Sequence, residues 1–347
     1  MSFDHPPSFM LQATRKGAEL VLNGTGDVLR VQDDGAGRLS LSAPQHSGLD
    51  GALAAFEALS NQGGELVILL DPQDWAALAP DLLTRGIAVP WQGQLAVFPA
   101  LFWQVPDRWL KHAAPAYPTL WRAGPHGRHP LRAPKPDGLL YQRHIPWLDQ
   151  VFSLRALAAE DLPLFHRWMN DPRVNAFFEE AGTLDQHRAY IARMAADPHM
   201  LPVIGALDSR AFAYFELYWA RENRIGAVYD AGAWDRGWHV LVGEEDARGA
   251  DYITAWLPSL MHYMFLAEPR TQSVMGEPRA SHVQQLRNLG RGGFARLRDF
   301  DFAHKRAALV QLERQHFFEA RLWARPPETE GAPLRLSPAT LLSQGAQ

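Results

Sequence analysis

The spacing of apolar residues changes repeatedly along this chain, and each change predicts an element. The first third predicts strands at Met10–Leu22, Val28–Val31, Arg38–Ser42, Glu65–Leu70 and Leu95–Phe98, with helices over Leu49–Leu59 and Gln73–Leu83. Asp71-Pro72 closes one strand and opens a helix, because proline suits a first helical turn. Farther on, Phe152–Leu157 reads as a strand and Asp161–Met169 as a helix, with Asp161 as N-cap, Pro163 in the first turn, and Leu162, Phe165 and Met169 on one face. A second helix, Thr183–Ala195, ends at Asp197-Pro198. Strands Pro202–Ala206, Phe212–Trp219 and Trp238–Gly243 follow, then a long apolar helix over Tyr252–Leu266. Strand Gln272–Met275, helix His282–Leu289 and strands near Phe294–Phe302 and Ala307–Leu312 close the order.

Prolines set the domain organisation. Pro115, Pro118, Pro125, Pro130, Pro134, Pro136 and Pro146, with Gly124, Gly127 and Gly138, exclude a long helix and predict a connector over 115–148. An accessory α/β domain over 1–114 precedes it, a fuller α/β domain over 149–325 follows, and residues 326–347 read as a mobile tail. Two domains agree with 347 residues, 47% hydrophobic content and 12 Trp. The net charge of −4 gives no reason to expect nucleic acid or an anionic membrane as partner. The absence of cysteine excludes disulfides, thiolate metal sites and a cysteine nucleophile. No apolar run reaches ~18 residues, and Met1–Pro7 lacks the basic and apolar regions of a secretory signal, so a cytoplasmic protein is expected.

Phe212–Asp251 holds the chemistry. Along its first strand Tyr214, Glu216 and Tyr218 share one face, and Phe215, Leu217 and Trp219 the other. Glu216 is the single charge there, and His239 sits in the next strand. That strand runs into a polar loop ending in Arg248-Gly249 and then the apolar helix, an order that predicts an anion cradle because free amides at a helix N-terminus bind phosphate.

The second half, in its element order and in several segments, resembles the GNAT acyl-CoA-dependent N-acyltransferases, and more narrowly the siderophore-biosynthesis acyltransferases acting on N6-hydroxylysine or N5-hydroxyornithine. The segments are His129–Arg132, Phe165–Val174, Tyr214–Ala220, Asp235–Gly243, Gly276–Arg279 and Phe300–Ala307. The resemblance implies an α/β (α+β) fold, a mixed, mostly antiparallel twisted sheet flanked by helices, preceded by a smaller N-terminal α/β domain, accessory or degenerate GNAT-like. It implies acetyl-CoA, or another acyl-CoA, as co-substrate, a small hydroxylamine acceptor, a hydroxamate product, no metal, and contact with enzymes of the siderophore pathway. Two positions depart from the common pattern: Asp246 and Asp251 flank the phosphate loop, and Ser281-His282 stands where many relatives have Asn.

A hydroxylamine nitrogen is neutral near pH 7, so the enzyme needs only a base for the proton released as the N–C bond forms; a histidine, with an unperturbed pKa of ~6.5, suits this. His239 is the expected base and Glu277 its expected orienting partner. Glu216, Tyr218, Trp219, Asp235 and Arg236 are the expected substrate contacts. Val240, Leu241, Val242 and Gly243 are expected to meet the pantetheine, and Arg248, Gly249 and Ala250 the pyrophosphate. Two rival readings remain open at this point: acetylation of an ordinary amine, such as an aminoglycoside or a protein N-terminus, and a non-catalytic acyl-CoA-binding scaffold.

Overall fold

The computed structural model describes residues 11–61 and 66–325; Met10, Glu65 and the tail expected at 326–347 lie outside the described residues. The first sheet contains β1 (Ala13–Lys16), β2 (Glu19–Leu22), β3 (Val28–Asp33), β4 (Arg38–Leu41), β5 (Val67–Leu70), β6 (Val89–Trp91) and β7 (Gln94–Val97), in the order β1-β2-β3-β4-β5-β7-β6. The expected Met10–Leu22 strand is the hairpin β1/β2, turning at Gly17-Ala18. Helix α1 (Gly48–Ser60) crosses from β4 to β5, the parallel pair of this sheet. The expected Gln73–Leu83 helix is shorter: residues 72–78 form turns, and α2 (Ala79–Thr84) starts where Pro80 falls in a first turn. A short helix, α3 (Pro99–Phe102), follows β7.

Within the proline-rich stretch, β8 (Trp121–Gly124) and β9 (Gly127–Pro130) pair as a hairpin. Residues 139–145, expected as the end of a connector, instead form β10 (Leu139–Ile145), an edge strand of the second sheet with Tyr141 and Arg143 fully buried. The sheet continues through β11 (Gln150–Ala156), β12 (Met200–Leu207), β13 (Arg210–Trp219), β14 (Arg236–Val242), β15 (Ser273–Gly276), β16 (Ala295–Asp301) and β17 (Arg306–Glu313), ordered β10-β11-β12-β13-β14-β15-β17-β16. Between β11 and β12 lie α4 (Leu162–Met169), α5 (Pro172–Phe178) and α6 (Leu184–Ala196). Helix α5 had no apolar period to announce it; Asp171 caps it by accepting the Arg173 N–H at 2.8 Å. Thr183 and Gln186 close a capping box at the start of α6. Helix α7 (Ala250–Ala267) links β14 to β15, α8 (Val283–Arg291) links β15 to β16, and α9 (Arg314–Glu319) follows β17.

The strand order β11 to β17 repeats β1 to β7, including one parallel pair joined by a long helix: β14/β15 through α7, β4/β5 through α1. The two halves differ at the helix N-terminus. Before α1, the buried Asp27 carboxylate accepts the N–H groups of Gln45 (3.2 Å), His46 (3.1 Å) and Ser47 (2.8 Å) and the Ser47 hydroxyl (2.6 Å). The place an external anion would take is thus filled by the chain's own carboxylate.

Apolar residues of both sheets merge into one buried cluster. Trp103 stacks on Trp109 at 4.5 Å and Trp323 at 4.8 Å. His262 of α7 sits beside them, its Nδ1 2.9 Å from the Tyr141 hydroxyl and its Nε2 2.6 Å from the Trp103 carbonyl. Burial pushes this imidazole down to about 3, so it stays neutral and bridges the two halves.

Candidate active site

Antiparallel pairing of β13 with β14 places Glu216 directly opposite His239. Its Oε2 lies 2.8 Å from His239 Nδ1, which donates to it. Oε1 of Glu216 accepts the hydroxyls of Tyr190, from α6, and Tyr214, at 3.0 Å. Burial keeps both phenols protonated, since it raises their pKa well above the usual value. Burial also opposes the charge on Glu216, but the His239 and tyrosine hydrogen bonds outweigh it and hold the carboxylate ionised, below its usual range.

Among the described residues His239 Nε2 has no hydrogen-bond partner; Glu277 Oε1 lies 3.9 Å from it, too far for one, so Glu277 acts on it through charge. Burial pulls the imidazole pKa down, the two carboxylates push it up, and the net direction is upward. Glu277, just past the end of β15, is held by Arg224 (Nε at 2.8 Å) and Lys305 (3.5 Å). Burial works against its ionisation, and His239 with these cations overcomes that. These groups line a cleft of ≈ 450 Å³, bounded also by Phe177, Glu179 and Arg279. The Tyr218 ring lies 4.9 Å from the His239 ring, and its buried hydroxyl has no hydrogen-bond partner among the described residues.

Glu216, expected as a substrate contact, lines the cleft and is the carboxylate hydrogen-bonded to His239 Nδ1, because cross-strand register places it opposite the histidine. Glu277, expected as the orienting partner, faces Nε2 from 3.9 Å among cations. Tyr218, Trp219, Asp235 and Arg236, also expected at the substrate, do not line this cleft; Tyr218 is buried and packs on the His239 ring. Asp235 closes a turn, accepting from the Gly232 N–H (2.8 Å) and the Tyr229 hydroxyl (3.0 Å). Trp219 and Arg236 pair with each other on the face opposite His239, as an odd residue spacing along each strand requires. Tyr190, Arg224 and Lys305 had no sequence signal, being brought in from a helix and two loops.

The structure also offers what a long thioester ligand needs. Parallel pairing of β14 with β15 stops at Gly237–Met275, so among the described residues β14 from Trp238 onward has a strand partner only in β13. Such an open edge accepts an extended amide-bearing chain. Val240 and Val242 are partly buried on it and Leu241 is buried, while Gly243 is needed for packing: a Cβ there would lie 2.3 Å from the Trp168 ring. At the start of α7, Gly249 has φ +113° and ψ −178°, a conformation close to glycine-only, and the first helical bond is Ile253 N–H to Gly249 C=O (3.1 Å). The amides of Ala250, Asp251 and Tyr252 therefore have no helical acceptor. Arg248 ties the loop to β14 through the Val242 carbonyl at 2.7 Å. Of the two flanking acids, Asp246 pairs with Arg210 (2.7 Å) and Asp251 with Arg325 (2.8 Å).

Residues 158–302 match the acetyltransferase (GNAT) domain model. An uncharacterized protein of Bacillus halodurans has the same fold, with a TM-score of 0.51 at 23% identity over 54% of this chain and 96% of that one. The second sheet and its helices are thus a GNAT acetyltransferase fold, extended by the N-terminal sheet. The chain is 41% identical over 220 residues to the N(6)-hydroxylysine O-acetyltransferase of Escherichia coli, covering 62% of this chain and 70% of that protein. It is 43% identical over 270 residues to the hydroxyornithine transacylase of Ajellomyces capsulatus, covering 72% of this chain and 61% of that longer protein. The chain belongs to the same family of GNAT acyltransferases as the Escherichia coli protein. Among the described residues no helix is long and apolar enough to cross a membrane.

Proposed function

We propose that this protein transfers an acyl group, acetyl in the first instance, from acyl-CoA to the nitrogen of an N-hydroxylated amino acid or diamine, such as N6-hydroxylysine or N5-hydroxyornithine. The product is a hydroxamate used in siderophore assembly, and the reaction takes place in the cytoplasm. The observation that carries this reading is the Glu216–His239 hydrogen bond of 2.8 Å at a cleft bordering the open edge of β14. Glu216 fixes the tautomer with the proton on Nδ1, leaving Nε2 as the acceptor. Glu277 steadies the imidazolium that forms. The β14 edge and the first amides of α7 hold the pantetheine and pyrophosphate, and the acyl-CoA supplies the activated carbonyl. The hydroxylamine nitrogen attacks, the N–C bond forms as the C–S bond breaks, the nitrogen's proton passes to His239 Nε2, and CoA leaves as thiolate. The N-terminal half, with Asp27 in its own cradle, serves as a non-catalytic support.

Thiol release from acetyl-CoA with N6-hydroxylysine, N5-hydroxyornithine, N-hydroxycadaverine and the unhydroxylated parents tests the substrate class. Turnover of the parent amines equal to that of the hydroxylamines refutes it, and tight CoA binding without turnover favours the scaffold reading. The name of the Escherichia coli relative specifies O-acetylation. Ferric ion separates the two outcomes, because an N-acyl product is a coloured iron-binding hydroxamate and an O-acyl product is not.

A further inference from the structure

Arg236 lies three positions before His239 on β14 and so points to the opposite face of the sheet. It is only 5% exposed, yet among the described residues no hydrogen bond or ion pair engages its guanidinium, and its Nε is buried without a partner. Its contact is with the Trp219 ring, 4.8 Å from the guanidinium carbon. Neighbouring arginines differ. Arg132 is paired with Glu222 (2.8 Å), and Arg270 takes both oxygens of Glu268 at 2.7 Å each. Arg236 alone of the three has no carboxylate within ion-pair distance among the described residues; the charge of Glu268 reaches it, but both Glu268 oxygens are already taken by Arg270, and buried charges are ordinarily paired directly. It borders a cavity of ≈ 120 Å³, lined also by Lys135, Trp219, Trp234, Tyr263 and Glu268. Lys135 there is held by backbone carbonyls, Ala195 at 3.0 Å and Met194. His199, on the same wall, is taken by Asp197 at 2.5 Å. With Glu268 and Asp197 already engaged, the cavity presents two cations and no free carboxylate.

We propose that this cavity is a binding site for a small carboxylate, gripped by the Arg236 guanidinium against the Trp219 ring and separate from the acyl-transfer cleft. The planar fork of arginine matches a carboxylate in bidentate fashion, the aromatic walls suit a short apolar body, and the volume, about four liquid waters' share, admits an anion of acetate-to-succinate size.

Thermal unfolding of the full chain in sodium acetate, succinate or phosphate, at ionic strength matched with chloride, is the experiment. Acetate or succinate raises Tm saturably by a few degrees. Arg236→Gln abolishes the shift, and His239→Ala leaves it intact. Should Arg236→Gln fold poorly, Ala267→Phe, placed from an exposed position at the cavity wall, also removes the shift while keeping the guanidinium. No carboxylate response beyond chloride, a wild-type response in Ala267→Phe or in a folded Arg236→Gln, or a phosphate response exceeding that of the carboxylates overturns the assignment.

Discussion

Glu216→Gln tests the site most sharply, because its consequence follows from which oxygen meets which donor. Tyr190 and Tyr214 both donate to Oε1, while Oε2 faces His239 Nδ1 at 2.8 Å. A glutamine must keep its carbonyl towards the two phenols, so its NH₂ replaces Oε2 and donates to Nδ1. The imidazole then carries its proton on Nε2, where the reaction requires a lone pair. Loss of a tautomer-fixing carboxylate from a comparable histidine costs up to ~10⁴ in kcat, so a fall of about 10²–10⁴ is expected with CoA affinity nearly unchanged. The hydrogen bond lost is charge-assisted, worth ~1.5–3 kcal/mol, or about one to two pKa units. The sign follows from the carboxylates' effect: they raise the His239 pKa above 6.5, so kcat/KM in the wild type falls as pH drops through that raised value. In the variant the residual acid limb moves downward. Stopped-time thiol release from pH 5 to 9, with calorimetric CoA binding alongside, measures both. The double variant with His239→Ala is no slower than His239→Ala alone, since the two residues act as a unit. A Glu216→Gln enzyme within threefold of wild type, or one whose acid limb moves up, refutes the tautomer argument.

His239→Ala lowers kcat by ~10²–10⁴ and leaves CoA binding nearly intact; unchanged turnover removes it from the mechanism. Gly249→Ala meets no atom within 4 Å, so its penalty is backbone strain alone, ~1–3 kcal/mol in urea unfolding, together with weaker CoA binding; equal stability and CoA affinity would contradict the cradle geometry. Calorimetry with CoA gives one site per chain, because Asp27 occupies the first half's cradle; a stoichiometry of two is the contrary result. His262, neutral and pushed down to about 3, costs stability as pH falls below ~6.5, the unfolded chain binding a proton that the folded one refuses, by about 1.4 kcal/mol per pH unit. His239, shifted the other way, adds stability below that pH, so the readout is the difference in pH slope between wild type and His262→Gln; parallel slopes refute the burial account.

The sequence alone determined much of the element order, because alternation, helical spacing and capping residues act within a few positions of each other. The strands bearing Glu216 and His239, the Arg248-Gly249 turn and the long helix after it were all legible for that reason. Helix α5 and strand β10 were not: one is a short segment after Asp171-Pro172, the other hides in a proline-rich stretch whose burial comes from residues far away in the chain. Tertiary structure decided which side chains meet in the site. Register set Glu216, not Glu277, against Nδ1; strand alternation carried Trp219 and Arg236 to the other face of the sheet. Tyr190, Arg224 and Lys305 were assembled from separate elements across the fold. Such contacts depend on pairing and packing between distant segments, and no local pattern of residues encodes which of two carboxylates will lie at 2.8 Å and which at 3.9 Å.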